Sequence, residues 1–127
     1  MNAVAESVEC RTPSEKFWAG TPGINYARMF ALSPEKLDAH WLHHWKCKRS
    51  EVVREFMPAI AKDSTIVEVG CNCGNQLHLL RSMGYTRLFG LEINPFAAGF
   101  ATCRGFGVEV GSLVNSPYPD KCADLVM

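Results

Sequence analysis

The sequence has no surplus of charge of either sign: thirteen Lys and Arg offset thirteen Asp and Glu across 127 residues. Without a basic excess, nothing drives the whole chain onto phosphate backbones or anionic lipid. One local cluster, Lys46, Lys48 and Arg49, is followed at once by Glu51 and reads as a solvated helix face. No apolar run approaches the roughly 20 residues that span a bilayer. The opening residues lack the basic-then-apolar order of a secretion signal, so a cytoplasmic location is expected. The six cysteines include no Cys-x-x-Cys pair, which disfavours a zinc ribbon, and without secretion they are expected as reduced thiols. No Ser/His/Asp or Cys/His set stands at a recognisable spacing, so nucleophilic catalysis has no support. Internal repeats and low-complexity tracts are absent as well.

What is present is an ordinary globular composition, 47% hydrophobic and 20% charged, enough for one modest core. Three textures follow one another. Residues 1–33 read as an irregular N-terminal arm broken by Pro13, Gly20, Pro22 and Gly23, with a mobile first dozen residues. Phe17 and Trp18 bring two large aromatics into that arm, which is therefore expected to dock on the body. Residues 34–61 read as helix, within a helical segment 34–62 packing on a sheet. Ser33 is the cap, Pro34 the first helical residue, and Pro58 a bend or end. Leu37, Trp41, Leu42 and Trp45 make one apolar stripe, and Val52, Val53, Phe56 and Ile60 a second.

From residue 63 onward strands and helices alternate. Thr65-Ile66-Val67-Glu68-Val69 is a buried strand. Asn75 to Met83 is a helix stopped by Gly84. Arg87 to Glu92 is a second strand, and Asn94 caps a helix opened by Pro95 and running to about Arg104. Val108-Glu109-Val110 is a short third strand, and Cys122 to Met127 a fourth after a turn-rich loop. This order is the βαβ signature of an α/β fold with a Rossmann-like, doubly wound, mostly parallel sheet. A buried fourth strand with no covering helix leaves an open apolar edge. That sets the expectation of a domain truncated after strand four, or of self-association through the open sheet edge.

The strongest chemical signal is Glu68-Val69-Gly70-Cys71-Asn72-Cys73-Gly74, between a buried strand and a helix. Open α/β sheets bind ligands at that place, the carboxyl end of the strands. Gly70 allows a tight turn, Gly74 lets backbone approach a ligand, and Asn72 tolerates a left-handed backbone. The following helix turns its positive end toward the crevice. The segment resembles the first motif of class I methyltransferases, acid-x-Gly-x-Gly-x-Gly, with Asn72 at the middle glycine. That resemblance implies S-adenosylmethionine (SAM) as cofactor, with Glu68 helping to hold its methionine part; otherwise Glu68 caps the neighbouring turn. Glu92, ending the second strand, can accept both ribose hydroxyls of an adenosine, a device NAD enzymes share, or it is a carboxylate suited to a helix start. Ile93 would pack beside the adenine. Ser112 follows the third strand where the resemblance implies an adenine contact, and a plain turn is the other reading. Asp124-Leu125-Val126 resembles the family's entry into strand four.

A closer resemblance runs through the arm. Phe17-Trp18-Ala19-Gly20, then Gly23, Tyr26 and Arg28, is similar to the N-terminal signature of methylases associated with pseudaminic acid biosynthesis. Met29 stands where that pattern has an Asn. Glu68-Val69-Gly70-Cys71-Asn72 and Gly90-Leu91-Glu92-Ile93-Asn94 also look like that family. The resemblance implies methyl transfer to a sugar or nonulosonic-acid type acceptor in surface-glycan biosynthesis, a small-molecule or glycan-precursor partner. Trp18, Tyr26 and Arg28 would then cover the SAM pocket, or the aromatics only staple the arm down. Two other functions fit the residues: a non-catalytic SAM-binding fragment and an NAD-dependent oxidoreductase. No catalytic base can be named. His40, His44 and Cys47 share a helix face, but a zinc site needs a fourth ligand, and packing is the expectation. Cys71 and Cys73 are expected to pack beneath the cofactor. Neither nucleic acid nor membrane is an expected partner.

Overall fold

Four strands set the frame: β1 (Thr65–Val69), β2 (Arg87–Glu92), β3 (Gly107–Val110) and β4 (Leu125–Val126), in the order β3-β2-β1-β4. All three pairings are parallel. The computed structural model describes residues 8–127; the front of the mobile segment expected at the N-terminus lies outside the described residues. Before the sheet come α1 (Pro13–Ala19), α2 (Thr21–Phe30), α3 (Pro34–Trp45) and α4 (Arg49–Phe56); α5 (Asn75–Ser82) and α6 (Pro95–Cys103) connect the strands. Both crossovers, β1 to β2 and β2 to β3, step the same way across the sheet. Right-handed connections therefore put α5 and α6 on one face.

The core lies between that face and the helices. Ile66 and Leu88 are register partners on adjacent strands, and both pack with Leu77, Leu80, Leu37 and Val53. Alternation along β1 sends Val67 and Val69 to the opposite face. There the loop after β3 lies across the sheet, and the Tyr118 hydroxyl donates to the Gly90 carbonyl at 2.8 Å. Burial, the largest cause, pushes the Tyr118 phenol up to about 12.

Three sequence expectations change. The arm is not irregular: Thr12 caps α1, Glu15 completes a capping box, and Pro13 and Pro22 occupy first-turn positions that need no N–H donor. Proline here starts helices instead of breaking them. The helix expected over 34–61 is two helices. Lys46, in the left-handed region at φ 59°, ends α3, and α4 stops at Phe56, short of Pro58. Leu42, Trp45 and Phe56 consequently stand exposed, while Leu37 and Val53 are buried. Strand four is shorter than Cys122–Met127. Pairing with β1 begins at Asp124, whose N–H donates to the Thr65 carbonyl at 2.9 Å and whose carboxylate accepts from the Thr65 N–H at 2.7 Å, so Cys122 and Ala123 stay outside the strand.

Candidate functional site: a crevice at the carboxyl ends of the strands

β1 ends at Val69, and the chain turns at Gly70 with φ 71°. A Cβ built there would meet nothing within 4 Å, so the turn opens into free space. Asn72 follows at φ 49°, the left-handed conformation its side chain tolerates. Gly74 is left-handed too, at φ 79°, but a Cβ there would lie 3.2 Å from both Ala101 and Phe106. Its small size thus serves the seating of α5 against α6. No side chain caps α5, so its first N–H groups have no side-chain partner.

Glu92 ends β2 and is 6% exposed. Its two carboxylate oxygens accept from the Asn72 N–H at 2.7 Å and the Asn94 N–H at 2.8 Å. One carboxylate therefore fixes both the glycine turn and the entry to α6. Asn94, buried, caps α6 through Oδ1, which accepts from Phe96 and Ala97. Its Nδ2 donates to the carbonyls of Trp18 at 2.8 Å and Gly20 at 3.1 Å. The arm thus docks through its backbone, while the Phe17 and Trp18 rings stay about half-exposed. On the far side Ser112, 7% exposed, donates its hydroxyl to Glu15 of α1 and accepts from the Val114 N–H at 3.1 Å.

These groups surround one cavity of about 490 Å³. Gly70, Asn72, Glu92, Ile93 and Ser112 line it; the arm adds Ser14, Glu15, Trp18 and Tyr26. Glu68 and Gly74, the other two predicted site residues, are not on its wall. Glu68 instead points inward, with Oε2 buried and unpartnered. Burial, opposed by Arg49 and reinforced by Glu92, raises its carboxyl to about 8. Cys71 and Cys73 are buried beneath the turn, and burial raises both thiols, holding them protonated. Arg28, expected over the pocket, lies with its guanidinium 5.0 Å from the Phe96 ring centroid. His40 and His44 stack at 4.3 Å in an aromatic row that continues through Phe30 and Tyr26 to Trp18.

Two residues with large roles carried no sequence signal. Arg104 donates to the carbonyls of Cys73 and Leu32, and Asn75 accepts from the Leu32 N–H. Together they tie the link between α2 and α3 to the glycine turn. The local pattern gives no role to Glu15 either, since its partner Ser112 lies far along the chain.

No protein-family model matches the chain, and no curated protein matches it. Solved structures do. A chain from the complex between the Haloferax volcanii Trm112 methyltransferase activator and a methyltransferase matches over 93% of this chain and 47% of its own. Its TM-score is 0.59 and its identity 23%. Geranyl diphosphate C-methyltransferase from Streptomyces coelicolor, in complex with S-adenosyl-L-homocysteine, matches over 86% and 51%, with TM-score 0.60 and 17% identity. The [4+2]-cyclase SpnF matches over 61% and 31%, with TM-score 0.53 and 18% identity. The chain spans about half the length of the first two. Over that span its four-stranded parallel sheet and flanking helices have the α/β, Rossmann-like fold of these methyltransferases.

Proposed function

We propose that this chain binds SAM in the crevice and is the cofactor-binding part of a SAM-dependent methyltransferase. The observation that carries the reading is the meeting of Glu92, the open Gly70 turn and Asn72 around one cavity. Its volume falls within the roughly 300–1,000 Å³ of small-molecule sites. Each Glu92 oxygen gives one lone pair to a backbone N–H and keeps another for a ribose hydroxyl. Ile93 offers an apolar flank to the base, and the Gly70 backbone stands free for close approach by the amino-acid end. A bound SAM would supply a methyl group already activated on sulfonium. The protein's part is to hold and orient the cofactor and keep water out, for which the arm residues Trp18 and Tyr26 form a wall.

The fold neighbours support this reading, since one of them was solved with S-adenosyl-L-homocysteine. The same fold also carries a cyclase, so fold by itself does not choose the reaction. The acceptor we propose, a sugar or nonulosonic-acid type, rests on the arm sequence Phe17-Trp18-Ala19-Gly20 and its continuation through Arg28 alone.

Calorimetric titration tests the cofactor. SAM is expected to bind, NAD is not, and Glu92→Ala is expected to lower SAM affinity by at least about 100-fold, since two ribose contacts and the turn's anchor go together. Equal affinity in the two proteins, or preference for NAD, defeats the reading.

A further inference from the structure

The crevice has a second carboxylate, and it comes from the arm. Val110 is the register partner of Glu92, and the Gly111 N–H donates to the Glu92 carbonyl at 3.0 Å. Ser112 is the next residue, so the Glu15–Ser112 pair sits one strand beyond Glu92 along the sheet. Leu113 and Val114 line the same cavity, yet are 63% and 62% exposed. With Ile93 they offer apolar surface beside the polar pair, the setting for a flat ring whose edge needs a polar partner.

The free capacity of Glu15 defines that edge. Its Oε2 accepts from the Arg11 N–H at 2.6 Å and the Thr12 N–H at 2.9 Å, and its Oε1 accepts from Ser112. A carboxylate has about four acceptor sites, so one remains, on the oxygen beside Ser112. The Ser112 hydroxyl, the Thr12 backbone and the Arg11 backbone, in that order, hold this carboxyl below the usual range. At neutral pH it is charged and can only accept.

We propose that Glu15 reads the edge of the bound base, accepting an N–H from an exocyclic amino group and so selecting a 6-aminopurine over a 6-oxopurine. The proposal rests on the SAM reading above and adds a specificity determinant outside the sheet. A base placed over Ile93 with its ribose on Glu92 extends toward β3, where Glu15 waits. An oxo group there would set oxygen against carboxylate, leaving both unpaired.

The test is paired titration of S-adenosylhomocysteine and S-inosylhomocysteine into the wild-type chain, Glu15→Gln and Ser112→Ala. The wild type should prefer the adenosyl compound by about tenfold or more, the range of a charge-assisted hydrogen bond. Glutamine preserves the capping box but can donate as well as accept, so Glu15→Gln should narrow that preference at least several-fold by gaining the inosyl compound. Ser112→Ala should weaken both ligands alike and keep their ratio. A Glu15→Gln protein whose two affinities fall in parallel shows an arm that is merely loosened, and overturns the proposal. A preference lost in Ser112→Ala but kept in Glu15→Gln assigns the reading to Ser112 and overturns it too. If the wild type binds neither compound, the cofactor reading itself has failed; if it binds both equally, only the present proposal has.

Discussion

Glu68 and Glu92 are both carboxylates at strand ends, and their surroundings divide their roles. Glu92 has its oxygens met by two backbone N–H groups, so its charge is anchored at the crevice wall. Glu68 faces the interior with an oxygen that nothing meets, and burial raises its carboxyl from 4.5 to about 8. In the unfolded chain that proton leaves near 4.5; in the folded chain it stays until about 8. Between those values unfolding releases a proton, so the fold loses stability as pH rises through this window and levels off above it. Glu68→Gln, which mimics the neutral form, is expected to flatten that decline and to be more stable than wild type at pH 8. Urea unfolding at a series of pH values checks it; parallel curves for the two proteins count against a buried, raised Glu68.

The elements of the arm pack by close approach more than by apolar burial. α1 contains no buried residue, and α2 buries only Gly23 and Ala27. A Cβ at Gly23 would stand 1.9 Å from the Trp18 carbonyl oxygen and 2.6 Å from Asn94 Nδ2. Gly23→Ala is therefore expected to push α2 off both partners and to cost about 1–3 kcal/mol, the range for overpacking. The urea midpoint should fall with little change in slope. The core elements could be read directly from the sequence: β1 and β2 run between the residues that their β-branched and apolar patterns mark, and Asn94 and Pro95 announce α6. There local chemistry and tertiary packing agree. In the arm they part. Pro13, Gly20, Pro22 and Gly23 resemble a list of breakers, yet each proline stands in a first turn and Gly23 marks a helix contact. The distinction depends on what lies across the interface, which the local pattern does not contain. The site divides in the same way. Gly70, Asn72 and Glu92 were legible as a turn and a strand end, whereas Gly74 does its work against Ala101 and Phe106, which only the folded chain brings near.

At the scale of the whole molecule, the sheet of the described residues is bounded by β3 and β4, and β4 is only two residues long. Val126 on it is 62% exposed. No helix among the described residues is long and apolar enough to cross a membrane. An exposed apolar edge invites pairing. Light scattering is expected to show mass rising with concentration, and Val126→Lys, which puts a charge on that edge, is expected to reduce it. A mass that stays monomeric at every concentration removes the expectation. The arm, the turn and the sheet meet at a single amide. Asn94 donates its N–H to Glu92, accepts at Oδ1 from the first turn of α6 and donates its Nδ2 to the arm. Swinging the arm outward would therefore strand two N–H hydrogens in a pocket of protein. Something would have to hydrate them, so the arm cannot come away dry: any opening would draw solvent to the residue beside Glu92, and any closing would have to expel it.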